Sequence, residues 1–210
     1  QSRDEGEKAI KLLVRAFQLN PSDIEVISIL AEAYLAHGLL REATGLFRQI
    51  LPMLTERGEF ERAIQVLRRL AVVNPKDIET FLDLGDLYLS QERLQEAEQQ
   101  YRAVLRVDLQ HRGALFKVAK VCAKRKQFRD STLIYQRLIS ADSEDTEALY
   151  ELGLVYKEQG MPQDAVKNLL MAGLASFDKE DKELARNCFS AVLQIEPENS
   201  IAARQLKVLT

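Results

Sequence analysis

Tryptophan is absent from this chain of 210 residues, and glycine, proline, cysteine and histidine are scarce, at 9, 5, 2 and 2. Few glycines and prolines leave little material for a turn-rich β protein and fit long helices joined by short turns. Two cysteines cannot build a disulfide framework. Cys122 and Cys188 each fall on an apolar helical face and read as small buried hydrophobes. The two histidines, His37 and His111, lie near expected turns, far apart, and in no Cys/His/carboxylate set with metal spacing. No metal and no cofactor are expected. No apolar run approaches the ~18 residues needed to span a bilayer, and no basic start leads into an apolar core as in a signal peptide. Membrane insertion is therefore not expected, and the reading leans to a cytoplasmic location. A net charge of −3 disfavours a nucleic-acid protein as a whole. No phosphate loop, dinucleotide fingerprint or nucleophile elbow occurs, so the chain does not read as an enzyme.

What is present is a ladder. Small residues stand at Ala9, Ala43, Ala63, Ala97, Ser131, Ala165 and Ala185, and four residues after each comes Leu13, Phe47, Leu67, Tyr101, Tyr135, Leu169 or Phe189. The steps are 34, 20, 34, 34, 34 and 20 residues. A period of about 34 marks a repeated helix pair. Apolar spacing follows the helical period nearly everywhere, which predicts twelve helices near 4–19, 23–37, 40–57, 60–73, 77–91, 94–107, 111–125, 128–141, 145–159, 162–177, 180–195 and 199–208. Asn20-Pro21, Asn74-Pro75 and Glu196-Pro197 stop helices, because proline disfavours α geometry in the residue before it. Ser22, Asp77 and Asn199 are placed to cap the helices that follow. Gly38, Gly58 and Gly160 mark tight turns, and Pro162 suits a first helical turn. The carboxylate clusters 142–145 and 178–181 read as solvated turns.

The segment Phe81-x-x-Leu84-Gly85-x-x-Tyr88, then Ala97, Tyr101 and Val104, resembles the tetratricopeptide repeat (TPR). So does Leu149-x-x-Leu152-Gly153-x-x-Tyr156, followed by Gly160, Ala165 and Leu169. The resemblance covers essentially the whole chain. It implies an all-α right-handed α-solenoid of antiparallel helices, with small residues where two helices of a pair cross closely. The expected organisation is a single solenoid over 1–210. It comprises an orphan second helix (4–19), repeats with a first break (24–77), central repeats 78–111, 112–145 and 146–179, a repeat after a second break (166–199), and the start of another repeat or a cap (200–210). The opening Gln1 and unpaired terminal helices lead us to expect that the array continues in a longer protein. The unit 112–145 departs from the pattern, with Ala119, Cys122, Ser131 and Ser143 at its marker positions.

The 20-residue steps hold one helix and a turn. Helices 40–57 and 162–177 are each expected to serve as second helix of one pair and first helix of the next. These two register breaks lie 122 residues apart. Pro52 removes the hydrogen bond to the Arg48 carbonyl and is expected to kink the first of them.

In this family the first helices face the concave surface. The matching positions are Leu82, Asp83, Asp86 and Leu89, then Phe116, Lys117, Lys120 and Lys124, then Tyr150, Glu151, Leu154 and Lys157. Apolar anchors mixed with opposed charges suit a partner helix or extended peptide. The resemblance thus implies a protein-interaction scaffold or adaptor whose partner it does not name. The family's carboxylate clamp is excluded by Asp83, Asp86 and Glu151, which would repel a terminal carboxylate, and the asparagine ladder of its glycosyltransferase-linked arrays is absent. Two alternatives stay open: a regulatory or targeting arm of a larger enzyme or assembly machine, and binding of an acidic partner or nucleic acid by the basic stretch Lys117, Lys120, Lys124, Arg125, Lys126 and Arg129. Self-association through the uncapped ends is a further expectation.

Overall fold

The computed structural model describes residues 2–209, with side chains from Glu5 to Leu209. Those residues form twelve helices and no strand: α1 (Ser2–Leu19), α2 (Ile24–Ala36), α3 (Leu40–Glu56), α4 (Phe60–Val73), α5 (Ile78–Ser90), α6 (Leu94–Val107), α7 (Arg112–Lys124), α8 (Phe128–Ala141), α9 (Thr146–Glu158), α10 (Pro162–Asp178), α11 (Lys182–Ile195) and α12 (Ser200–Leu209). Every expected helix is present, with boundaries displaced by no more than two residues. The chain is an all-α solenoid and divides into two compact units, one ending at Glu92 and the other beginning at Arg93.

Two kinds of connection alternate along it, and each has its own hydrogen bonds. In the first kind a residue with positive φ closes the turn: Gly38, Gly58, Glu92, Lys126, Gly160 and Glu180, with φ between 56° and 73°. The N–H groups of Leu39, Glu59, Gln127, Met161 and Asp181 then donate to the carbonyls five residues earlier, at 2.8–2.9 Å. In the second kind, Asn20, Asn74, Asp108, Asp142 or Glu196 accepts from the N–H three residues on, at 3.0–3.3 Å. Most helices have one kind at each end. α3 and α10 have the first kind at both ends, at Gly38 and Gly58 and at Gly160 and Glu180. Both are 17 residues long, against 13 or 14 for α2, α4–α9 and α11. This is the shared-helix arrangement that the 20-residue steps imply.

The ladder forms the core. Ala43, Ala63, Ala97, Ser131, Ala165 and Ala185 are fully buried, as are Tyr101, Tyr135, Leu169 and Phe189, with Phe47 and Leu67 nearly so. Burying each large side chain contributes roughly 1.5–3 kcal/mol. The first rung differs: Ala9 is exposed and Leu13 only half-buried. Close crossing explains the small residues. A Cβ on Gly153 would lie 2.6 Å from Leu169 Cγ, and one on Gly173 would lie 2.7 Å from Phe189 Cε1. α10 therefore receives a glycine crossing from α9 and offers one to α11.

Three local expectations need correction. Asp23, not Ser22, caps α2, accepting from the N–H groups of Glu25 and Val26 at 3.0 and 3.2 Å. Asp77 occupies the cap position of α5, but its carboxylate takes the Arg48 guanidinium at 2.7 Å and the Thr80 hydroxyl at 2.5 Å instead of a backbone N–H. Asp145 is no solvated turn residue. It is buried, accepts from Ala148 N–H at 3.1 Å, and is gripped by Arg112 at 2.7 and 2.9 Å. Burial opposes its charge, but the Arg112 and Ala148 hydrogen bonds hold its carboxyl below the usual range. Asn199 caps α12 as expected, accepting from Ala202 N–H.

Candidate functional site

The twelve sequence-derived candidates divide between the two units. In the first, Leu82 and Leu89 on α5 are half-buried and Asp83 and Asp86 are exposed. Asp83 and Asp86 stand on one side of an open groove of about 400 Å³, which also touches Leu51, Pro52 and Thr55 of α3 and Leu67 of α4. Leu82 and Leu89 do not line it. Burial first, then Glu79, Asp86 and Asp77, push the Asp83 carboxyl above its usual range, with Arg48 opposing. The α3 wall is absent from the candidate set. Its signal was the shared-helix step, which makes α3 a first helix, the kind of helix from which the candidates were drawn.

In the second unit α7 and α9 carry the remaining eight. Lys120 Nζ on α7 meets Glu151 Oε1 on α9 at 3.0 Å, so two candidates pair with each other. Phe116 is half-buried, with Tyr135 edge-on at 5.7 Å between ring centres. Lys120 Nζ lies 6.0 Å and Arg112 Cζ 5.6 Å from the Phe116 ring centre, within the range of cation–π attraction. Tyr150 and Leu154 are half-buried against the cluster that includes Leu169 and Phe189. Lys157 reaches Gln194 on α11 at 2.8 Å. Arg112 was missed by inspection of the sequence, although it stands one helical turn before Phe116. It joins Asp145 and Glu147, each at 2.7 Å, to that ring.

The basic stretch is partly neutralised. Lys120 pairs with Glu151, Arg125 with the buried Glu98, and Lys117 Nζ lies 5.6 Å from the Tyr101 ring centre. Lys124, Lys126 and Arg129 form no ion pair among the described residues. Lys126 holds the positive-φ turn. The irregular repeat also buries polar atoms that find no hydrogen-bond partner among the described residues, namely Gln127 Oε1, Ser131 Oγ and the Tyr135 hydroxyl.

Both cysteines are fully buried, and burial pushes their thiols up, to about 11 for Cys122 and about 12 for Cys188. Neither is poised as a nucleophile. His111 Nδ1 accepts from Ala114 N–H, and His37 Nδ1 pairs with the Ala33 carbonyl. No group of three metal-ligating side chains occurs among the described residues, and no described helix is long and apolar enough to cross a membrane.

A search of curated proteins finds the BBSome complex member BBS4 of Bos taurus, 27% identical over 122 residues, which are 58% of this chain. The chain spans 23% of that relative's length. Among solved structures, MamA from Desulfovibrio magneticus RS-1 superposes with a TM-score of 0.57 at 22% identity, covering 75% of this chain and 97% of that one. YrrB, described as a TPR protein with an unusual peptide-binding site, gives 0.50 at 19% identity, covering 93% and 97%. These likenesses show the fold. The tetratricopeptide repeat matches residues 166–199, a stretch that starts inside α10 and runs through α11. A family described as the Cilia and flagella-associated protein 70 middle TPR-like domain matches residues 27–168, more than half of the chain. With its helix pairs, buried small-residue ladder and glycine crossings, the chain belongs to the tetratricopeptide-repeat family represented by that middle TPR-like domain.

Proposed function

We propose that the chain is a non-catalytic scaffold that binds a partner helix or peptide along the strip formed by Phe116, Lys120, Tyr150, Glu151, Leu154 and Lys157. Tetratricopeptide-repeat proteins in general mediate protein–protein contacts. The observation that carries this particular strip is the half-buried Phe116 beside the Lys120–Glu151 pair. Half-buried aromatics offer apolar area already held in place, and a salt bridge on the rim can exchange partners to set register. The test is partner affinity in a folded Phe116→Ala/Tyr150→Ala variant. A loss of roughly tenfold or more is expected, and unchanged affinity sinks the strip.

A second reading is that the chain is one arm of a larger assembly. It is favoured by the relative that is a BBSome complex member and more than four times as long as the stretch it shares with this chain. Co-purification of the full-length protein with stoichiometric subunits supports it, and recovery of a lone polypeptide counts against it. Nucleic-acid binding has less support, because Glu151 and Glu98 already neutralise two cations of the basic stretch. A gel shift at low salt, where phosphate contacts are strongest, should show no complex.

A further inference from the structure

The groove in the first unit is a product of the first register break. α3 ends in a first-kind turn at Gly58, so it stands beside α4 as the first helix of a pair, and α5 comes back against α3, where Glu79 meets Arg48 at 3.0 Å. At the second break the equivalent crossing is closed by Gly173, which admits Phe189. At the first, 122 residues earlier, Leu51 stands in place of the glycine and Leu67 in place of the phenylalanine. Leu51 and Leu67 line an open space of about 400 Å³ there, within the range of small binding pockets, about 300–1,000 Å³.

The charge beside this apolar floor has one sign. Asp83 forms no hydrogen bond or ion pair among the described residues, and Asp86 lies one helical turn further on the same wall. Arg48, whose charge reaches Asp83, is itself held by Asp77 at 2.7 Å and by Glu79 at 3.0 Å. The field of Glu79, Asp77 and Asp86 makes the Asp83 charge costly, and a cation docked there would relieve it. We propose that the groove framed by α3, α4 and α5 docks an amphipathic helix of a partner protein, with apolar side chains on Leu51, Pro52, Leu67 and Leu87 and a lysine or arginine paired to Asp83. This surface is separate from the strip on α7 and α9 and does not depend on it.

The test is to pan a displayed random-peptide library on the intact chain. Enriched peptides should carry apolar residues three or four apart together with a lysine or arginine. Their affinity should fall roughly tenfold or more with Asp83→Lys, which reverses the charge, and with Thr55→Trp, which fills the groove. Both positions are exposed, so circular dichroism should match the parent chain, and Asp83→Lys alone carries the test if Thr55→Trp misfolds. Lys120→Ala, in the other strip, should leave affinity unchanged. The proposal is overturned if no peptide is enriched, if the enriched peptides lack a cation, or if they bind both groove variants as tightly as the parent.

Discussion

α3 and α10 are the same device built twice. Each starts and ends on a positive-φ turn, spans 17 residues, and serves two helix pairs. They differ in what sits at the crossing that follows. α10 presents Gly173 to Phe189 at a separation that leaves no room for a Cβ. α3 presents Leu51, then Pro52 where α10 has Leu174, and faces Leu67 across an open groove. The same turns and the same length thus give a sealed joint in one unit and a groove in the other. The two joints differ at that crossing in one small residue and its partner.

The largest expected effect comes from giving α10 the residue of α3. Gly173→Leu would drive a branched side chain into Phe189 and Cys188 and should cost about 3 kcal/mol, at the upper end of overpacking. Denaturant unfolding checks it, and the loss should appear in the unit after Arg93. The reverse exchange concerns the proline. Pro52 lies inside α3 and is exposed, so it removes a backbone hydrogen bond with no packing in return. Pro52→Leu should stabilise the first unit by about 2 kcal/mol, read as a higher unfolding midpoint. No gain would mean that the α3 backbone needs the proline.

These exchanges also show what was legible in the sequence. The helices, the ladder and both breaks could be read because a helical face and a small crossing residue are local patterns that repeat. The cap of α2 was misplaced by one residue because Ser22 and Asp23 are both good caps, and only the backbone decides between them. Asp145 looked like a turn carboxylate because its partner, Arg112, is 33 residues away. The turns at Glu92, Lys126 and Glu180 were hidden because glycine, the usual sign of positive φ, is missing there. Their spacing from Gly58 and Gly160 was the available signal. The α3 wall of the groove was overlooked because the candidates were taken from the central repeats, whereas the groove belongs to the break before them.

Smaller effects sharpen the comparison further. Asp77 binds Arg48 of the shared helix α3, whereas at the second break Asn199 caps α12 and Leu170 stands where Arg48 would be. Asp77→Asn should therefore cost about 1 kcal/mol, since the pair is partly exposed, at 33% and 22%. The loss should shrink when Arg48→Ala is made first. The turns themselves should give the smallest shifts, of opposite sign. Gly58→Ala forces a side chain into positive φ and should destabilise by about 1 kcal/mol, while Glu180→Gly relieves the same strain and should gain several tenths. Thermal unfolding of the two variants checks both signs.

The shared-helix account stands most directly on the contact between Gly173 and Phe189. A double-mutant cycle of Gly173→Ala and Phe189→Leu, followed by denaturant unfolding, measures their coupling. The account predicts that Gly173→Ala is costly alone and much less costly once Phe189 is shortened, with a coupling of about 1 kcal/mol or more. Costs that simply add would contradict a crossing at this pair, and with it the role of α10 as the first helix of a second pair.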